Sequence, residues 1–489
     1  MLFHTWTFLA FFLVVYPGFL LLKRTPLKAP WLLAGSYVFY GWWNPVYLLL
    51  IVWSTTIDYL AVIAMARTRW RKPWLIGSIV NNLFLLGFFK YGQFVVDSLN
   101  ALASWLGLPF VLSQPNVTFL SDAINSLTAS LGLDWSVQPF DYLLPVGISF
   151  YVFQSMSYTI DYYRGRVERE TSFIRYATFV SLFPQLVAGP IERASNLLPQ
   201  LQADPKITPH DVADGASLFI VGLFKKIALA DYLAMYVNPC YAAPGDYGAA
   251  ALLLATFAFA WQIYFDFSGY TDMARGIGRM MGFRLMLNFN NPYLADGLGD
   301  FWRRWHISLS TWFRDYVYVP LGGNRKGTSR MYVNMVLTML VSGLWHAPGP
   351  WNGAVWTFVL WGAVHAAGRL MTRRLEGTDF YCKRAPRIVK QLLTFSIVAF
   401  AWIFFRANSV SDAWLIINRI ATTGWSDPGF PLMAAGLVLA VWLYQYLYES
   451  RLSSLLKPAP VRIALVVAMI VYMAACVTTG AQGFIYFQF

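Results

Sequence analysis

Long, almost uninterrupted apolar runs constrain this chain more than any other feature. Trp6–Leu22, Val46–Ala66 and Ile463–Val477 are examples. A run of about 20 apolar residues crosses the hydrocarbon core of a bilayer, and only a helix satisfies its backbone there. Charged residues make up 12% of the chain and hydrophobic residues 57%, whereas ordinary soluble domains carry about 25% charge. There is too little polar surface for a set of soluble domains. A soluble enzyme, a disordered chain and a secreted scaffold are excluded. The expected fold class is an all-α polytopic membrane protein, with residues 1–489 forming a single membrane domain.

The charges set the threading. The net charge of +13 lies in short basic clusters between apolar runs, a positive-inside pattern rather than a nucleic-acid surface. Lys23–Lys28, Arg67–Lys72, Arg164–Arg169 and Arg369–Lys390 are expected on the cytoplasmic side, the last containing a basic loop at 371–390. No Lys or Arg lies between Lys90 and Arg164, while Asp97, Asp122, Asp134 and Asp141 do. Residues 97–141 therefore read as a periplasmic loop. Residues 288–330 are too polar to span and read as a cytoplasmic-side or re-entrant segment. Residues 176–240 contain Pro184, Pro190, Lys225 and Lys226, and broken or interfacial helices are expected. The total is about 10–12 membrane-crossing or re-entrant helices. Abundant Trp and Tyr, such as Trp42, Trp43 and Trp402, read as interface anchors in contact with membrane lipids. Met1–His4 carries no Lys or Arg, so the first run does not read as a cleavable signal. Cys240, Cys382 and Cys476 are too scattered for a disulfide framework or a zinc site, and no metal is expected.

Histidine in or near a bilayer is costly to desolvate and marks a functional site or polar cavity by default. His4 is expected to be exposed, and His210, after Thr208 and Pro209, reads as a helix start. His306 lies in Phe301–Tyr316. As one continuous helix, this segment puts Trp302, Trp305, His306, Leu309 and Ser310 near one face, with Ser310 able to bond the His306 ring. An interfacial helix anchored by Trp and Arg and a site for an anionic ligand, with Arg303 and Arg304 beside it, both fit. His346 ends the apolar run Val333–Trp345 with no neutralising charge nearby, as suits a general base acting on a hydroxyl. His365, deeper in the next run, reads as structural. Asp266 and Asp272 lie in an apolar stretch and need partners, with Arg275 or the Arg303–Arg304 pair as candidates. There is no phosphate-binding loop, nucleophile elbow or metalloprotease motif.

Six segments occur in a distinctive order: Leu144–Tyr151, Phe183–Pro190, Tyr264–Tyr270, Phe301–Ser308, Leu321–Arg325 and Gly343–His346. Together they resemble the membrane-bound O-acyltransferase (MBOAT) family. The nearest branch is the bacterial one whose members O-acetylate alginate or cellulose. The resemblance runs from about Trp31 to Arg406. It implies membrane helices around a central funnel and tunnel, with one characteristic active-site histidine matching His346 and a second family position matching His306. It also implies acetyl-CoA as cytoplasmic acyl donor, a bacterial inner-membrane location and transfer toward an exopolysaccharide. The implied partners are a periplasmic O-acetyltransferase and the polysaccharide synthesis and secretion complex.

On that resemblance, His346 is expected as general base or acyl-handling group and His306 as the group that positions donor or acceptor. Arg303, Arg304, Trp305 and Arg325 are expected to meet the anionic donor. Two departures stand out. Ala347-Pro348-Gly349-Pro350 follows the histidine where the branch commonly has Gly, and the region Leu99–Tyr142 is longer. The rivals are a polysaccharide or lipid transporter and a secretion-complex scaffold, neither of which turns over acyl-CoA.

Overall fold

The computed structural model describes residues 1–133, 136, 145–347, 355–456 and 458–476. Parts of the expected outer loop (134, 135 and 137–141) and the segment Pro348-Gly349-Pro350 lie outside the described residues, which form helices and no strand. The chain opens with α1 (Trp6–Leu22), capped by the Thr5 hydroxyl, which accepts from the Phe8 amide at 3.3 Å. Then follow α2 (Lys28–Gly41), α3 (Tyr47–Arg67) and α4 (Arg71–Trp105). The 35 residues of α4 make a rod of about 52 Å, well beyond the ~30 Å of a hydrocarbon core. It absorbs the start of the expected outer loop, and α5 (Thr118–Ser130) forms another part of it.

The next region is broken, as its prolines and lysines suggested. It contains α6 (Ile148–Tyr163), α7 (Phe173–Ser181), α8 (Phe183–Leu186), α9 (Ala194–Gln202) and α10 (Pro209–Phe224). Thr208 and Asp211 form a reciprocal capping box at the start of α10, with His210 in its first turn. A π-helical turn, Lys225–Ala230, leads into α11 (Asp231–Ala242). The central helix is α12 (Ala249–Met280), most of whose length is buried. Two short helices follow, α13 (Leu298–Arg304) and α14 (Ile307–Phe313), then α15 (Thr328–His346), α16 (Val355–Glu376) and α17 (Arg387–Arg406). The chain ends with α18 (Val410–Thr422), α19 (Leu432–Glu449) and α20 (Ala459–Cys476).

Among these, α3, α4, α12, α17 and α19 are long and apolar enough to cross a membrane, and α1 and α20 are shorter apolar helices. Helix backbones meet where side chains vanish. A Cβ at Gly215 would sit 2.6 Å from the Gly276 carbonyl oxygen and one at Gly222 2.5 Å from that of Gly269, so α10 lies directly on α12. Small-residue faces of this kind let helices associate in lipid, where no hydrophobic force drives them together.

Packing also corrects one sequence expectation. Met1 and Phe3 are buried, with Phe3 against Phe8, Phe39 and Tyr270, so His4 is half-buried rather than exposed.

Candidate active site

The site is built by two backbone devices. The first is the α15–α16 contact. A Cβ at Gly343 would lie 2.3 Å from the Phe358 carbonyl oxygen, and one at Gly362 2.4 Å from that of Met339. Only glycine permits this approach, and it brings the Trp361 ring to 5.2 Å from His346, the last residue of α15.

The second device is a break between α13 and α14, which replaces the continuous helix expected over Phe301–Tyr316. His306 takes a left-handed backbone, φ 42°, a conformation that costs a non-glycine residue about 1–3 kcal/mol and persists only where neighbours impose it. Here the neighbours are specific. The Asn288 carbonyl accepts from the Ile307 amide at 2.9 Å, while the Asn288 side chain accepts from the Ser308 amide and hydroxyl at 3.2 and 3.0 Å. On the other flank, the Asn290 amide donates to the Arg304 carbonyl at 2.9 Å. Ser310 consequently does not reach the His306 ring, and its hydroxyl donates to the Trp305 carbonyl at 3.0 Å.

The break lets the polar segment climb alongside α16. At its foot, the Leu298 amide donates to Glu376 at 3.1 Å. Midway, the Trp302 ring lies 5.0 Å from that of His365. At the top, His306 reaches 6.2 Å from His346 and packs edge-on against Phe267 at 4.7 Å. The two histidines that sequence singled out, forty residues apart, therefore face one another in a buried aromatic chamber. Trp345, Trp361 and Phe405 complete the wall around His346, at 4.7, 5.2 and 5.6 Å. Among the described residues neither ring nitrogen of His306 has a hydrogen-bond partner, and the same holds for His365.

A cavity of about 480 Å³ lies beside this chamber, with Trp302 in its wall and packed on Trp361 and His365. Trp302, Arg303, Ser310, Arg314, Tyr318 and Ser342 are among its lining residues. Arg303 and Arg314 are exposed, whereas Ser342 is buried one helical turn before His346. Only one of the four expected donor-binding residues thus lines the cavity. Arg304 is engaged elsewhere, 2.8 Å from Asp300 and 2.5 Å from Glu449, which Arg387 also meets at 3.1 Å. Trp305 is buried against Phe301 and Trp402. Arg325 is exposed on the turn before α15. Arg314, which sequence reading did not single out, stands with Arg303.

Lys90 was also missed. It sits on α4 in an otherwise apolar stretch, and its lone charge in Leu83–Tyr91 is the signal that would have found it. Its ammonium donates to the carbonyl of Trp345 and lies 5.3 Å from the centre of the Trp345 ring, while the Tyr91 hydroxyl donates to the Leu344 carbonyl at 2.5 Å. Two adjacent residues of α4 thus cap carbonyls that the end of α15 leaves free.

The intramembrane carboxylates are structural. Lys226 lies 2.8 Å from both Asp231 and Asp266, and Asp272 meets Lys225 at 2.7 Å and Arg275 at 3.3 Å. Arg275 was an expected partner. The Arg303–Arg304 pair is not involved, because the π-turn lysines occupy that role. Exposed His210 lies 3.6 Å from Asp214 in a surface pair.

Comparison with known proteins identifies the family. The sequence profile of the membrane-bound O-acyltransferase family matches residues 167–410. The probable alginate O-acetylase AlgI of Pseudomonas aeruginosa is 40% identical over 432 residues, 87% of this chain and 75% of the relative. The peptidoglycan O-acetyltransferase of Helicobacter pylori is 33% identical over 453 residues, 86% of this chain and 79% of the relative. The teichoic acid D-alanyltransferase of Bacillus subtilis is 26% identical over 283 residues, 55% of this chain and 70% of the relative. With its ordered motifs, apolar spans and relatives that share most of its length, this multi-pass membrane chain is an O-acyltransferase and belongs to the membrane-bound O-acyltransferase family.

Proposed function

We propose that this enzyme carries an acetyl group from cytoplasmic acetyl-CoA across a bacterial inner membrane for O-acetylation of an exopolysaccharide, alginate or cellulose. The observation that carries the reading is the cavity running from exposed Arg303 and Arg314 to Ser342, one turn below His346. The basic rim suits the phosphates of the donor, since exposed guanidinium groups attract and orient such anions. Along the 19 residues of α15, Thr328 to His346, the helical rise puts the histidine about 27 Å from the basic end, most of the way across a ~30 Å hydrocarbon core. Donor and acceptor then approach His346 from opposite faces.

The chemistry is thioester acyl transfer. The acceptor hydroxyl oxygen attacks the carbonyl carbon and its proton passes to His346, which acts as general base. The C–S bond then breaks, and the departing thiolate takes the proton from His346. His306, pinned in its left-handed turn, orients the reacting group. The acceptor side is completed by a periplasmic acyltransferase of the polysaccharide secretion complex. Support for such a partner comes from the extension of α4 and the segment after it, which expose Trp105, Phe110 and Val111 and carry no Lys or Arg.

Sealed vesicles of opposite orientation test the reading. Labelled acetyl-CoA supplied at the basic face alone is expected to release CoA and deliver label to the opposite face. Equal transfer from donor supplied at either face would overturn it.

A further inference from the structure

Acyl transfer places negative charge on the thioester oxygen, and some set of donors must receive it. Among the described residues, the ring neighbours of His346 are aromatic, with no asparagine among them. The chamber holds a set of indole groups. Trp361 is completely buried, Trp345 is 4% exposed, and Trp302 lines the donor cavity. Among the described residues the ring N–H of each of these three tryptophans is buried and has no acceptor. More than about 90% of buried polar groups in proteins find a partner, and a membrane interior penalises the exceptions further. Two unpaired donors beside His346, with a third against Trp361 and His365, point to an oxygen that arrives with the substrate.

Trp361 has the best position. Its ring meets both His346, at 5.2 Å, and His365, at 4.8 Å, and touches Trp302 of the cavity wall, at 5.8 Å. Trp345 is more constrained, with its ring stacked on Phe153 and Lys90 over its face. Trp402 is also buried with its N–H unpaired among the described residues, but its ring reaches His365, at 6.4 Å, rather than His346.

We propose that Trp361 is a catalytic residue whose indole N–H donates to the acetyl carbonyl oxygen while that oxygen carries the charge of the tetrahedral intermediate. When the acceptor oxygen bonds to the carbonyl carbon and its proton passes to His346, the C=O electron pair moves onto the carbonyl oxygen, against Trp361. The pair returns as the C–S bond breaks, and the thiolate is protonated from His346. A rigid, dry donor of this kind needs no reorganisation as the charge develops. The assignment rests on the reading of His346 as the base, so the experiment scores the two separately.

The test uses the full-length protein in liposomes with labelled acetyl-CoA, measuring CoA release. Trp361→Phe keeps a packed ring and removes the N–H. It is expected to lower kcat about 100-fold, the usual effect of deleting one oxyanion donor, with KM for acetyl-CoA changed less than about twofold. Replacing Trp361 with benzothienylalanine, which has sulfur in place of the N–H, is expected to do the same and decides the matter if the phenylalanine variant does not accumulate. Trp402→Phe is expected to stay within about threefold of the unaltered enzyme, because its ring reaches His365 and not His346. Unaltered kcat in the benzothienylalanine protein, or a raised KM with unaltered kcat, would overturn the role of Trp361. Full activity in His346→Ala, with Trp361→Phe still impaired, would instead overturn the base assignment.

Discussion

Gly343→Ala tests whether the α15–α16 backbone contact sets the catalytic geometry. The new Cβ would lie 2.3 Å from the Phe358 carbonyl oxygen, where ordinary contact begins at 3.4 Å. The obstructing atom is helix backbone, so no side-chain rotation relieves the clash. The helices must separate by about 1 Å, and overpacking of this kind costs about 1–3 kcal/mol. His346 lies on one of these helices and Trp361 on the other. Their 5.2 Å approach therefore loosens by a similar amount. A misplacement of about 1 Å at reacting groups lowers turnover about 100-fold. The comparison is Gly215→Ala, which meets the Gly276 carbonyl at 2.6 Å on a contact remote from the histidines. Both variants are expected to melt at similarly reduced temperatures in detergent, but only Gly343→Ala should lose acetyl-CoA turnover by two orders of magnitude. Wild-type kcat in Gly343→Ala, or an equal loss in Gly215→Ala, would refute the reasoning.

Other substitutions separate fold from chemistry. His306→Asn is expected to keep the melting temperature, because asparagine tolerates the left-handed backbone, while retaining only part of the transfer activity. His306→Val should lose at least about 2 kcal/mol of stability as well, since a β-branched residue resists positive φ; thermal melts beside turnover assays separate the effects. Lys90→Met uncovers the Trp345 carbonyl and should cost about 1–3 kcal/mol. Lys90→Arg should recover part of the loss in the same melts. Burial alone would raise the Glu170 carboxyl, but Arg175, the Ser172 amide and Gln202 outweigh it and hold the group below its ordinary value. The stabilisation this provides is complete above the unfolded carboxyl pKa of about 4.3 and is lost as pH falls through the lower folded value. Arg175→Met should therefore be about 1–2 kcal/mol less stable at pH 7, with the difference shrinking in melts below about pH 4.

Features with a local physical cause were legible in the sequence. The run Val46–Ala66 appears as α3, Tyr47–Arg67, because apolar side chains and helix-satisfied backbone are what a bilayer demands. His346 stands out in the sequence because a lone imidazole ends an apolar run with no neutralising charge nearby, and the structure buries it 6.2 Å from His306. The break at His306 was not. Nothing in Phe301–Tyr316 disfavours a helix, and the reversal is imposed by Asn288, eighteen residues upstream. The partner of Asp266 was hidden for the same reason: Lys226 lies forty residues away, and a helix–helix contact through glycines brings it near. Lys90 differs: its lone charge marks it in the sequence, but its partner, the end of α15 some 255 residues away, does not show there.

Two arrangements of buried polar groups contrast in this chain. Asp58 is satisfied on every side, by Asn82 at 2.8 and 2.9 Å, by Ser78 at 2.5 Å and by Ser155. Lys226 is likewise held between Asp231 and Asp266. Such groups are closed: taking one partner away leaves a buried charge or donor exposed to a low dielectric, so they fix helix positions and have little capacity for a substrate. Around His346 the pattern reverses. His306, His365, Trp302, Trp345 and Trp361 each present buried nitrogen with no partner among the described residues. Membrane folding alone would select against that cluster, since each unpaired group costs free energy that an apolar side chain would not. The acyl transfer proposed above accounts for it: the carbonyl and hydroxyl oxygens of the substrate would complete the hydrogen bonding only when they are in place to react.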